Sequence, residues 1–66
     1  MATNTKTAED IRPGDVIMFL GTPNRVERIE APKATASDRQ NRVVGRAKAA
    51  NGWGMTLTAG ARIEVA

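Results

Sequence analysis

The chain contains no cysteine, no histidine and no tyrosine, and only one tryptophan, one phenylalanine and one serine. Without cysteine there are no disulfide staples and no thiolate metal ligands. Without histidine, a structural zinc loses its other usual ligand and neutral-pH proton transfer loses its usual carrier. Ser37 has no base close to it in sequence and so no means of activation. Asp10 with Asp15, or Glu27 with Glu30, would serve as an acid–base pair only in a deep pocket that raises one pKa. Sixty-six residues leave little room for one. The glycines are scattered as turn markers and form no phosphate-binding loop. These absences predict a protein that is not an enzyme and that takes no cofactor, metal or small-molecule substrate.

Long apolar runs are missing too. The longest, Val16 to Leu20, is far short of the roughly 20 residues of a membrane helix. The opening Met-Ala-Thr-Asn-Thr-Lys lacks the apolar stretch of a secretory signal. A soluble, cytoplasmic protein with no membrane partner is therefore expected, and cysteine-free composition fits a reducing compartment. A single domain of this length buries only about 60% of the surface its unfolded chain exposes. Its stability must come from a compact core or from a partner subunit that covers more apolar surface.

What is present is charge, unevenly placed. Residues 33–48 hold five of the ten basic residues and one of the seven acidic ones, so the segment sums to +4. The chain before it sums to −1 and the chain after it to zero. Such a segment suits a polyanion or an acidic protein face.

Small polar residues open the chain and predict a flexible tail over 1–9, followed by one β domain over 10–66. Thr7 to Asp10 reads as a short capped turn, ended by Pro13-Gly14, with Gly14 taking positive φ. Asp15 to Leu20 is the clearest strand. Its apolar residues do not alternate: Val16, Met18 and Leu20 face one way, Ile17 and Phe19 the other. One set fills the core, and the other needs a loop, the N-terminal turn or a second subunit. Gly21 to Asn24 reads as a turn. Arg25 to Ile29 is a weaker strand, in which a bulge at Glu27-Arg28 would put Val26 and Ile29 on one face. Residues 31–41 form a long loop, of the kind that is usually mobile or functional.

The next hairpin, Arg42–Ala49 with Trp53–Thr58, has a register that burial decides. A two-residue Asn51-Gly52 turn would place Lys48 and Arg46 opposite Met55 and Leu57. A three-residue loop, Ala50-Asn51-Gly52, instead opposes Ala47 to Met55, Gly45 to Leu57, Arg46 to Thr56 and Val44 to Thr58. The second register keeps charge off the apolar face, and Gly52 supplies the left-handed residue it needs. Arg62 to Val65 closes the chain with Ile63 and Val65 inward. Five short strands with glycine-marked turns describe a small antiparallel barrel or open sheet.

The stretch Ile11-Arg-Pro-Gly14-Asp15-Val16-Ile17-Met18-Phe19, followed by Val26-x-x-Ile29, resembles the first two strands of SH3-like small barrels, among them KOW-type RNA-binding modules. That resemblance implies an all-β fold, a small five-stranded antiparallel SH3-like barrel or strongly bent sheet. Ala8-Glu9-Asp10-Ile11-x-Pro-Gly14-Asp15 also resembles the strand entry of self-splicing Hint domains. Their chemistry needs a Cys or Ser nucleophile with partner histidines, and that arrangement is missing from this chain.

Two functions follow as expectations. The first is a non-enzymatic protein-interaction or homo-oligomeric accessory module, using Ile17 and Phe19 as an interface, a homodimer being the simplest case. The second is nucleic-acid binding, DNA or RNA, through a basic strand face. Alternation would align Arg42, Arg46 and Lys48 on that face, with Lys33 and Arg39 joining from the loop and Trp53 offering a stacking platform. The same basic residues would serve an acidic protein partner. Each has a plain reading beside it: charges that solvate an edge strand, and a tryptophan that anchors the rim of the core.

Overall fold

The computed structural model describes residues 4–66, folded as seven short strands and one short helix in two antiparallel sheets. In chain order the strands are β1 (Asn4–Thr7), β2 (Val16–Phe19), β3 (Thr22–Arg25), β4 (Arg28–Glu30), β5 (Val43–Lys48), β6 (Gly54–Thr58) and β7 (Arg62–Val65). Helix α1 (Ala36–Gln40) lies between β4 and β5, and a single 3₁₀ turn over Ala8–Asp10 follows β1. One sheet has the order β1-β7-β2-β3 and the other β4-β5-β6.

The five-stranded SH3-like barrel or strongly bent sheet is therefore corrected: seven strands form two separate sheets, neither strongly curled, and no ladder among the described residues closes them into one. The reason lies in two connections. After β6 the link Ala59–Ala61 carries the chain into the other sheet, where β7 pairs with β1 and β2. The Ala8–Asp10 turn then packs beside β6, and the Ala8 N–H donates to the Ala61 carbonyl at 2.9 Å.

The expected bulge at Glu27-Arg28 is instead a change of sheet. Val26 N–H still donates to Asp15 O (2.8 Å), extending the β2–β3 pairing, whereas Glu27 N–H donates to Lys48 O (2.7 Å), opening the β4–β5 pairing. The irregular Val26-x-x-Ile29 spacing marks a strand crossing a corner between two sheets. The expected turn over Gly21–Asn24 is likewise mostly strand. The reversal is the two-residue Leu20-Gly21, with φ of 51° and 78° and Phe19 opposite Thr22. Positive φ at both positions is the hairpin geometry that matches strand twist. Pro23 sits in β3, an edge strand, where its missing N–H is tolerated.

Residues 4–9, within the expected tail, contain β1 and most of the 3₁₀ turn, while residues 1–3 lie outside the described residues. Lys6 Nζ reaches Asp15 Oδ1 at 3.0 Å and ties β1 to the start of β2. Asp15 also accepts from the Arg12 N–H at 2.8 Å, capping the Pro13-Gly14 turn as its position suggests. That bond, more than the Lys6 ammonium, holds the Asp15 carboxyl below its usual value.

The core lies between the sheets and is built from Ile11, Ile17, Val26, Leu57, Ile63 and Val65 with the small Ala8 and Ala47. The β5–β6 register matches the three-residue loop for Gly45–Leu57, Arg46–Thr56 and Ala47–Met55. It departs at the far end, where Val43, not Val44, pairs with Thr58 across an irregularity between Val43 and Gly45. Gly45 is required where it stands: a Cβ there would meet Glu30 O at 2.9 Å and Ile29 Cγ2 at 3.0 Å.

Candidate functional site

Residues 31–41, expected to be a long mobile or functional loop, contain helix α1 and a cluster of polar contacts centred on Asp38. Thr35 is the N-cap of α1, its Oγ1 accepting from the Asp38 N–H at 3.2 Å. This is the Thr-x-x-acid pattern of a helix start, the same signal that marks Thr7–Asp10. The Asp38 side chain then turns back toward the sheet. Its carboxylate accepts the Lys33 N–H at 2.7 Å and both arms of the Arg46 guanidinium at 2.8 and 2.9 Å.

Asp38 is buried, and the Arg46 side chain is only 21% exposed. Arg46 is the first cause, and the Lys33 N–H the second, of a carboxyl held down to about 2. In return the carboxylate keeps the guanidinium more firmly protonated than usual. A bidentate, charge-assisted pair of this kind fixes both side chains. Arg46 is thereby withdrawn from any ligand.

The predicted row of cations along one strand face is corrected on two counts. Arg46 is consumed by Asp38. Arg42 precedes β5, and the irregularity after Val43 breaks the alternation that would have aligned it with Arg46 and Lys48. The basic residues fall into two groups instead. Lys33, Arg39 and Arg42 line one cleft of about 280 Å³, whose other walls are Pro32, Val43 and the already neutralised Asp38. Lys48 lies across from Arg28 at the other end of β5, about 20 Å away by strand rise. There Arg28 is bridged to Glu30 at 3.1 Å. Among the described residues, the side chains of Lys33, Arg39, Arg42 and Lys48 make no ion pair.

Arg42 is held in the left-handed region, φ 52°, just beyond the end of α1. Its N–H donates to Arg39 O at 3.2 Å, and its carbonyl accepts from the Ala59 N–H at 2.8 Å. This is the position after a helix end where glycine is usual. The backbone conformation that turns the chain from α1 into β5 thus falls at a residue of the cleft wall.

The apolar candidates separate as well. Ile17, expected at an interface, is a core residue, 1% exposed. Phe19 is half exposed and packs on Trp53, ring centroids 6.0 Å apart at 56°. Trp53 is partly buried against the core, with its backbone N–H donating to Asn51 Oδ1 at 3.0 Å. Leu20, at the hairpin tip beside them, is 89% exposed. Sequence reasoning missed Leu20 because it extends an apolar run; its place in a two-residue turn brings it out. It also missed the role of Asp38, although the Thr35-x-x-Asp38 spacing was a legible signal. None of the aromatic residues lines the cleft.

No family model, curated protein or solved structure matches the chain. No helix among the described residues is long and apolar enough to cross a membrane. Among the same residues, no group of three or more His, Cys, Asp or Glu side chains could hold a metal ion.

Proposed function

We propose that this chain is a non-enzymatic binding module that engages nucleic-acid phosphates through the cleft lined by Lys33, Arg39 and Arg42. One observation carries the reading: three cations that make no ion pair among the described residues line a single cleft, and the carboxylate beside them is occupied by Arg46 and the Lys33 N–H. Guanidinium and ammonium donors in that setting are suited to phosphate oxygens. The Asp38–Arg46 pair cancels internally, so residues 33–48 still present +4 from Lys33, Arg39, Arg42 and Lys48. The absence of aromatic side chains from the cleft favours contact with the backbone over base stacking. Binding should therefore be tolerant of sequence.

The test is fluorescence anisotropy of a labelled single strand across a salt series. Engagement of three phosphates gives a log–log slope of about −2 for a single strand. Affinity that does not change between low and moderate salt would remove phosphate contact as the function.

A second reading, docking on a protein through the Phe19–Leu20 tip, is favoured by the 89% exposure of Leu20. Its surface is limited. A standard interface takes about 800 Å² from each partner, nearly a fifth of this chain's 4525 Å². With Ile17 in the core, two side chains at a hairpin tip fall well short of that area. Sedimentation of the parent and of Leu20→Asn decides it: a dimer or complex lost in the variant supports docking there, and identical behaviour removes it.

A further inference from the structure

Resting on that reading, we infer that the cleft takes the terminal phosphomonoester of a nucleic-acid strand in preference to an internal phosphodiester. The geometry of the charges argues for an end. Binding along a backbone needs cations spaced along a track, and the middle of this track is vacant, because Arg46 between the two groups is locked to Asp38. What remains is a concentration of three cations in one concave place, with Lys48 at the other end of β5.

Charge and donor number agree with this. An internal phosphodiester carries one charge and two terminal oxygens. A phosphomonoester carries about −1.5 to −2 at pH 7 and three acceptor oxygens. Two guanidinium forks and an ammonium match the second group better than the first. The cleft, about 280 Å³ and open to solvent, is much larger than a single-water site. That is room for a phosphate group and the sugar that bears it. Pro32 and Val43 give the sugar an apolar wall. The ligand oxygens would also face the Asp38 carboxylate, which is tolerable only because Arg46 and the Lys33 N–H already hold it. Asp38 is thus a positioning residue: it clamps the Lys33 backbone and the first turn of α1 on one side of the cleft. A strand is favoured over a phosphopeptide because Lys48 lies about 20 Å from Arg42 along β5, in reach of a later phosphate of the same chain.

Direct competition tests the inference. Two otherwise identical short single strands, labelled at the 3′ end, are compared at moderate salt, one with a 5′-phosphate and one with a 5′-hydroxyl. A third arm uses a labelled phosphoserine peptide. The 5′-phosphorylated strand should bind at least about tenfold tighter, and its advantage should shrink as pH falls from 7 to 5 through the second phosphate ionisation near 6. Lys33→Gln combined with Arg39→Gln should abolish the advantage, with far-UV circular dichroism unchanged, since neither side chain makes an ion pair among the described residues. Equal affinity for the two strands overturns the terminal-phosphate inference while leaving backbone binding standing. No binding of either strand at low salt overturns both. A phosphopeptide that binds more tightly than the phosphorylated strand overturns nucleic acid as the occupant.

Discussion

Arg42→Gly should yield a protein that is more stable than the parent and a weaker phosphate binder. Arg42 has φ 52°, a conformation that costs an L-residue roughly 1–2 kcal/mol. Glycine escapes that cost but forfeits about 0.5–1 kcal/mol through its greater freedom in the unfolded chain. The net gain is about 0.5–1 kcal/mol. Both backbone bonds of Arg42, to Arg39 O and from the Ala59 N–H, survive in glycine. At about 2.1 cal/mol/K per residue, the unfolding entropy of a chain this size is about 0.14 kcal/mol/K. The gain then raises Tm by roughly 4–7 °C. Thermal melts followed by circular dichroism read the first half of the prediction. Anisotropy in a salt series reads the second, where the slope should fall by about 0.7 for a single strand. A lower Tm would refute the strain at this position. A higher Tm with an unchanged salt slope would remove Arg42 from the phosphate site.

Four further outcomes follow from the geometry. Asp38 and Asp15 are both held below their ordinary carboxyl value of 3.8, Asp38 at about 2. The stabilisation from Asp38 is therefore complete above about pH 4 and is lost as pH falls through about 2, and Asp15 acts in the same direction. Asp38→Asn should flatten the Tm profile across that window, and a profile as steep as the parent's would show that the Arg46 pair does not support the fold. Gly45→Ala should cost about 1–3 kcal/mol in urea unfolding, because its Cβ would press on the Glu30 carbonyl; a neutral result would mean that β4 and β5 approach less closely. Leu57→Ala, at a site 1% exposed, should cost about 2–5 kcal/mol of a total near 3–10 kcal/mol, so chemical-shift dispersion should collapse or nearly so. Leu20→Asn should raise Tm slightly, since asparagine accepts the positive φ of a two-residue hairpin turn more readily than leucine, and a fall would argue that the leucine is covered by a partner.

Local patterns in the chain were sufficient for several elements. The short turn over Ala8–Asp10, the positive φ of Gly14 and Gly52, the Asp15 cap and the inward Ile63 and Val65 all follow from neighbours in sequence, although the Thr7 hydroxyl donates to Asp10 Oδ2 and caps no backbone N–H. The three-residue hairpin loop was legible because one wrong step would have buried Arg46 and Lys48 against Met55 and Leu57. The expected basic face was legible only in its composition. Its members separate because Arg46 meets a carboxylate eight positions earlier, carried on a helix within the segment expected as loop.

Composition and spacing by themselves determined that this protein is small, basic, rich in strands and poor in catalytic side chains, because charge, residue type and hydrophobic period are local properties. The tertiary structure alone decided that the sheets stay open, that Ile17 is core and Leu20 surface, and which cations remain available. Those outcomes depend on where the chain changes sheet at Val26-Glu27 and on which carboxylate reaches which guanidinium across space. No window of neighbouring residues contains that information.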